Sequence, residues 1–202
     1  MTARQRFKLL CTKTILLCFL GILPLSGNAE PADNLNKGVY LVATKRLNDT
    51  GYEKSVIFIT EHGQAGTYGI MVNRETQVLL EDVVPEARVQ GHKGEKLYFG
   101  GPMHAQFLFV LTNTKDLDGL HKVTPGISFG AGKETVARLN AKKSSEATRT
   151  YAGFSSWGPG ELEQEINSGI WVLAPGEGAN LFDTDTTQLW QVLFDRWAGS
   201  WI

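Results

Sequence analysis

Gly153-Phe154-Ser155-Ser156-Trp157-Gly158-Pro159-Gly160-Glu161-Leu162-Glu163-Gln164-Glu165-Ile166 reads as the end of a strand, a glycine-rich turn and the start of a helix. Thr150, Tyr151 and Phe154 favour an extended approach to the turn. Gly158, Pro159 and Gly160 then break the pattern. A proline suits the first helical position, where its missing N–H has no intrahelical partner to lose. Glu161, Glu163 and Glu165 put negative charge against the positive end of the helix dipole. Leu162 and Ile166, four apart, share one face. Gly169 is a stop signal, and Ile170-Trp171-Val172-Leu173 is the next strand.

Upstream of this unit the apolar runs are short. Residues 38–44, 55–60, 69–73, 97–99, 107–111 and 127–129 read as strands. Residues 61–68 read as a loop carrying His62, and residues 78–84 and 133–139 as helices. A strand, a glycine-rich loop with a histidine and a second strand occur twice, around His62 and around His104, which raises the possibility of an internal duplication. Downstream, Thr184 or Asp185 caps a last helix in which Leu189, Leu193 and Trp197 recur at four-residue spacing, widened by Trp190 and Phe194. Helices and strands mix without regular alternation. This favours an α+β fold, and no linker divides the chain after residue 30.

The first residues have a different composition. Arg4, Arg6, Lys8 and Lys13 precede an apolar run over residues 15–25, and Gly27-Asn28-Ala29 offers small residues at a cleavage site. The apolar run is shorter than the ~20 residues of a spanning helix. The expectation is therefore a signal peptide over 1–29, cleavage after Ala29, and a periplasmic or secreted domain over 30–202 with no membrane span. An uncleaved inner-membrane anchor is the alternative. The remaining chain carries sixteen basic against twenty-one acidic residues, a formal charge of −5, which gives no basic face for nucleic acid. Cys11 and Cys18 both lie in the leading segment, so the domain is expected to rely on its hydrophobic core, with neither disulfide nor thiol chemistry.

Gly153-x-x-x-Trp157-x-x-Gly160-Glu161-Leu162-x-x-Glu165-Ile166, followed by Trp171, resembles the signature of the bacterial YqgE/AlgH family. Further landmarks keep the family's order: Glu61-His62, Gly66-x-x-Gly69-x-x-x-Asn73 and Gly100-Gly101-Pro102. The resemblance implies a compact, mainly antiparallel fold with a β-barrel-like core and flanking helices. It also implies a regulatory association with alginate production, without a defined molecular activity. Glu75 stands where the family usually has Pro, and Glu161 where it usually has Gln. An export signal also sets this chain apart from its mostly cytoplasmic relatives.

No complete catalytic set is visible. Gly130-Ala131-Gly132-Lys133 fails the phosphate-loop spacing, because Ile127 stands at the required glycine. Gly153-x-Ser155-x-Trp157 approaches a nucleophile elbow, but Trp157 would crowd the second glycine position. His62 and His104 lack the local spacing of metal ligands, and loop residues are the simpler reading. The expectation is a non-catalytic binding or regulatory module without catalytic residues, metal or cofactor, taking an unknown small molecule or protein partner. Its binding residues are expected to be His62, Asn73, Gly100, Gly101, Trp157, Gly160 and Glu161, with Asn73 alternatively a strand-end tie and the glycines alternatively a plain turn. A hydrolase using Ser155 or a His62/His104 site is the alternative.

Overall fold

The structure is a computed structural model that describes residues 32–85, 87, 94–114, 118–140, 147–176 and 181–198. The predicted signal peptide over 1–29 lies outside the described residues, as do most of the polar stretches at 87–95 and 142–148.

Among the described residues, ten strands form one curled sheet: β1 Tyr40–Ala43, β2 Val56–Gly63, β3 Gly66–Met71, β4 Glu75–Leu79, β5 Lys96–Phe99, β6 Met103–Thr112, β7 Leu120–Thr124, β8 Ile127–Ala131, β9 Thr148–Trp157 and β10 Trp171–Ala174. The main path runs β10-β1-β2-β3-β9-β6-β8-β7, with β5 between β4 and β9. All pairings are antiparallel except β5 with β9. Among the described residues, four α-helices flank the sheet: α1 Leu80–Val83, α2 Lys133–Asn140, α3 Glu161–Asn167 and α4 Thr186–Leu193. A π-helical turn, Phe194–Ala198, continues α4. The core is barrel-like but not closed, since β10 and β7 remain its ends. Lys37 reaches across, its Nζ donating to the Lys122 carbonyl at 3.3 Å.

The continuous apolar run in β2 is explained by burial on both faces. Val56 and Phe58 join Tyr40, Val42, Ile70 and Val172 in an inner cluster, which α4 covers with Leu189 and Leu193. Ile57 and Ile59 point the other way, with Leu41, Met71 and Leu173, against Leu162 and Ile166 of α3. Leu80 of α1 and Val136 and Leu139 of α2 pack on Leu97, Val110 and Ala152 as a third cluster. Inside the inner cluster lie Tyr40 and Tyr151, with Tyr98 at its margin. Burial pushes all three phenols above their ordinary value, and the Arg149 charge opposes this.

β9 organises the sheet. Residues 148–154 pair with β6, Tyr151 and Ala152 pair on the other side with β5, and residues 155–157 pair with β3. Strand periodicity changes at Gly153, which has φ +75°. Before it, Tyr151 faces the inner cluster and Ala152 the third one; after it, Phe154 faces inward and Trp157 outward. A left-handed glycine bulge thus resets the two-residue alternation by one position. Gly100 and Gly101 abut it: a Cβ on Gly100 would lie 2.2 Å from the Gly153 carbonyl, and one on Gly101 2.3 Å from the Phe154 carbonyl carbon.

Several expectations change. The loop over 61–68 is a tight hairpin whose strands continue to Gly63 and resume at Gly66. The helix over 78–84 is the end of β4 followed by the short α1. β7 went unanticipated, because Leu120-His121-Lys122-Val123-Thr124 buries only Val123. The duplication fails, because β2 and β3 pair with each other whereas β5 and β6 lie on opposite sides of β9. Pro159 does not open α3. Gly160, at φ +77°, occupies the N-cap and the helix begins at Glu161.

Candidate functional site

The residues read as a binding site occupy separate ends of β3. At one end, His62 Nδ1 and Thr67 Oγ1 are 2.8 Å apart, and Thr67 lies in register with Trp157. At the other end, past Met71, stands Asn73. The six residues of β3 separate these groups by ~20 Å at ordinary strand rise. Asn73 is a strand-end tie: Oδ1 accepts from Val56 N at 2.8 Å and Nδ2 donates to the Lys54 carbonyl at 2.9 Å. Gly100 donates its N–H to the Ala152 carbonyl and accepts from Met71, so its backbone groups are bonded within the sheet.

The stretch that carries the family resemblance builds architecture. Glu165 Oε2 accepts from the indole N–H of Trp157 at 2.9 Å and of Trp171 at 2.8 Å. One carboxylate oxygen therefore fixes α3 to the ends of β9 and β10. Glu161 reaches back to accept the Gly158 N–H at 2.8 Å, so this donor of the turn is already taken. Tyr52 packs edge-on against Trp171. Burial holds the Tyr52 phenol above its ordinary value; the Ser155 hydroxyl opposes this, and the Glu165 charge adds to it.

Ser155 sits within β9, fully buried, and bonds to no histidine or carboxylate among the described residues. A serine nucleophile needs an adjacent base and access for substrate, and this one has neither. His104, at φ +48°, stacks on Phe154 at 5.8 Å and meets Phe107 edge-on. Among the described residues, no three His, Cys, Asp or Glu side chains gather at a possible metal position.

A different place is concave. The β1–β2 connection, the β3–β4 corner and the start of α4 surround a depression of about 350 Å³, lined by Thr50, Glu53, Lys54, Asn73, Arg74, Thr186, Thr187 and Trp190. Trp190 is anchored from outside it, with Nε1 donating to the Ala43 carbonyl at 2.9 Å and the ring stacked on Phe194 at 4.7 Å. The Lys54 ammonium lies 5.9 Å from the indole centroid, within cation–π range. Lys54 reaches this position from a left-handed backbone, φ +51°, which an L side chain adopts at a cost.

Many of the lining polar groups already have internal partners. Thr50 Oγ1 donates to the Leu47 carbonyl and accepts from Tyr52 N. Thr187 gives its N–H and its hydroxyl to Asp185, the N-cap of α4, and these two bonds hold the Asp185 carboxyl below its ordinary value. Arg74 Nη2 donates to the carbonyls of Glu53 and Gly51. The charged groups of the lining without a hydrogen-bond partner among the described residues are the Lys54 ammonium, Nη1 and Nε of Arg74, and the Glu53 carboxylate. Of this site, sequence reasoning named only Asn73. Lys54, Arg74 and Trp190 come from three distant segments, joined by the Asn73 and Arg74 bonds to the backbone of residues 51–56, and no local motif encodes that meeting.

Comparison with known proteins agrees with this architecture. Residues 40–201 match the model of the family described as AlgH-like. A UPF0301 protein of Mycobacterium bovis is 30% identical over 174 residues, covering 82% of this chain and 84% of that protein. One from Mycobacteroides abscessus is 27% identical over 176 residues, covering 83% of each. The solution structure of the AlgH protein from Pseudomonas aeruginosa superposes with a TM-score of 0.68 at 20% identity, over 86% of this chain and 92% of that one. The crystal structure of protein DIP2367 from Corynebacterium diphtheriae gives a TM-score of 0.65 at 26% identity, over 80% of this chain and 87% of that one. With a family match that spans nearly the whole described chain, this protein belongs to the AlgH-like family.

Proposed function

We propose that this AlgH-like protein is a non-catalytic binding module of the cell envelope, which takes a small ligand in the depression beside Trp190 and passes its occupancy to a partner in a regulatory role. The observation that carries the reading is the set of groups left over there: two cations, one carboxylate and an indole face. These groups bind and orient. None of them is a nucleophile paired with a base, which acyl or phosphoryl hydrolysis would need. The envelope location rests on the basic start, the short apolar run and the small-x-small site at residues 27–29.

Two measurements test it. Cell fractionation with N-terminal sequencing should recover the protein from the envelope, beginning at Glu30; a cytoplasmic protein that retains Met1 would refute the location. A thermal-shift screen of metabolites, followed by amide and indole NMR, should give hits that perturb Trp190 and Lys54. Hits that perturb only other regions would refute the site.

A further inference from the structure

We infer that the ligand of this depression is a small, singly charged organic acid with a flat apolar body, its anionic head between Arg74 and Lys54 and its body on the Trp190 face. The inference deepens the binding-module reading and rests on it.

Subtraction of the internal bonds leads to this class. Of the charged groups on the walls, Lys54 and Arg74 are positive and Glu53 is negative. Arg74 has one nitrogen committed to two backbone carbonyls, which fixes its plane. Nη2 belongs to both two-pronged edges of the guanidinium and is taken, so Nη1 and Nε each offer an anion a single charge-assisted hydrogen bond. Lys54 supplies a second positive group that is not hydrogen-bonded among the described residues, and its position is costly. A left-handed lysine disfavours the fold, and the Asn73 amide bonded to its carbonyl holds it there. Backbone held in a sparsely populated region is characteristic of binding sites, where placement of a group outweighs local stability.

The negative groups set the upper limit on ligand charge. Glu53 shares the wall, and Asp185 stands beside Thr187, so a polyanion would meet two carboxylates. A single negative charge balances the set, and the Glu53 carboxylate can accept from a hydroxyl on the ligand. Trp190 offers a ring face held by Ala43 and Phe194, on which a flat body can stack in place of the lysine ammonium. A volume of about 350 Å³ matches a metabolite rather than a polymer.

The test uses benzoate as the probe, with benzamidine as its cationic counterpart and acetate as a head without a body. In isotope-labelled protein, benzoate should shift the Trp190 indole N–H, identified by its loss in Trp190→Phe, with an affinity in the millimolar range or tighter. Acetate should bind more weakly and benzamidine should leave that resonance unmoved. Lys54→Gln should weaken benzoate roughly three- to tenfold, and Glu53→Gln should strengthen it by a similar factor, as expected for part-exposed charges. Lys54→Gly should weaken benzoate while raising the melting temperature, because it removes the ammonium and the backbone cost together. Benzamidine shifting Trp190 in preference to benzoate would overturn the ligand class and leave the binding module standing. If no probe or screened metabolite moves Trp190 or Lys54, both readings fall. Benzoate affinity unchanged in Lys54→Gln and Glu53→Gln would overturn the assignment of the charged groups.

Discussion

Gly153→Ala tests the bulge on which β9 turns. The substitution adds one methyl group in a place with no room for it. Its Cβ would stand 2.3 Å from the Gly101 carbonyl oxygen, 2.9 Å from that of Met103 and 3.2 Å from the Ala105 Cα. All three are main-chain atoms, so no side chain can swing aside. The left-handed φ of +75° adds about 1–2 kcal/mol for an L residue. Overpacking against fixed backbone adds about 1–3 kcal/mol. The sum, roughly 2–5 kcal/mol, corresponds to a fall in Tm of about 4–20 °C at ~2–4 °C per kcal/mol for a chain of this size. Urea denaturation followed by circular dichroism measures it, with the slope checked for two-state behaviour. Gly126→Ala is the control. Its Cβ would meet nothing within 4 Å and its φ is not left-handed. It should move stability by no more than about 0.5 kcal/mol. If Gly153→Ala costs less than about 1 kcal/mol, the two glycine segments relax apart and the bulge is not what joins the half-sheets.

Glu165→Ala should cost about 2–4 kcal/mol by leaving two buried indole N–H groups unpaired, whereas Glu165→Gln, which keeps an acceptor, should cost under ~1 kcal/mol; chemical denaturation of both variants separates loss of charge from loss of the acceptor. Trp190→Ala should cost about 3 kcal/mol, the low end for a large aromatic because the ring is part exposed, and an unmoved denaturation midpoint would mean that α4 does not dock through it. Alkaline pH should destabilise the fold. Tyr40, Tyr52, Tyr98 and Tyr151 all ionise above the ordinary phenol value when folded, so above pH ~10 the unfolded chain has released protons that the native one still holds, and stability falls as pH rises. A phenolate absorbance titration should accordingly show their ionisation coinciding with loss of the circular dichroism signal.

How much of this was legible in the residues differs from element to element. The apolar run at residues 55–60 read correctly as a strand, and its burial on both faces left no polar alternation to mislead. The cap of α4 was legible to within one residue, Thr184 or Asp185, and Asp185 takes it because its carboxylate bonds an N–H two residues ahead. The hairpin at His62 was hidden because Glu61 and Gly63 are polar or small while still paired with β3. β4 was hidden because Leu80 and Val84, four apart, read as a helix over 78–84, whose first two residues are in fact the end of the strand. The signature around Trp157 identified the family and yet pointed away from the concave site. Its residues are occupied with one another, Glu165 with two indoles and Glu161 with Gly158. The depression was invisible for the opposite reason. It draws on residues 50–54, 73–74 and 186–190, and no short-range spacing relates them.

The central position of β9 also dictates an order of assembly. On a ribosome, β3 and β6 emerge long before the strand that will lie between them, and β1 waits for β10 at residues 171–174. Until about residue 157 has left the exit tunnel, β1, β3, β5 and β6 each carry an unsatisfied edge, and the Val56–Ile59 run has no α3 to cover it. Such edges template pairing with other chains, and contacts this distant in sequence are slow to form. A chain that has made β3, β5 and β6 but not β9 is therefore the species most exposed to wrong pairing with other chains.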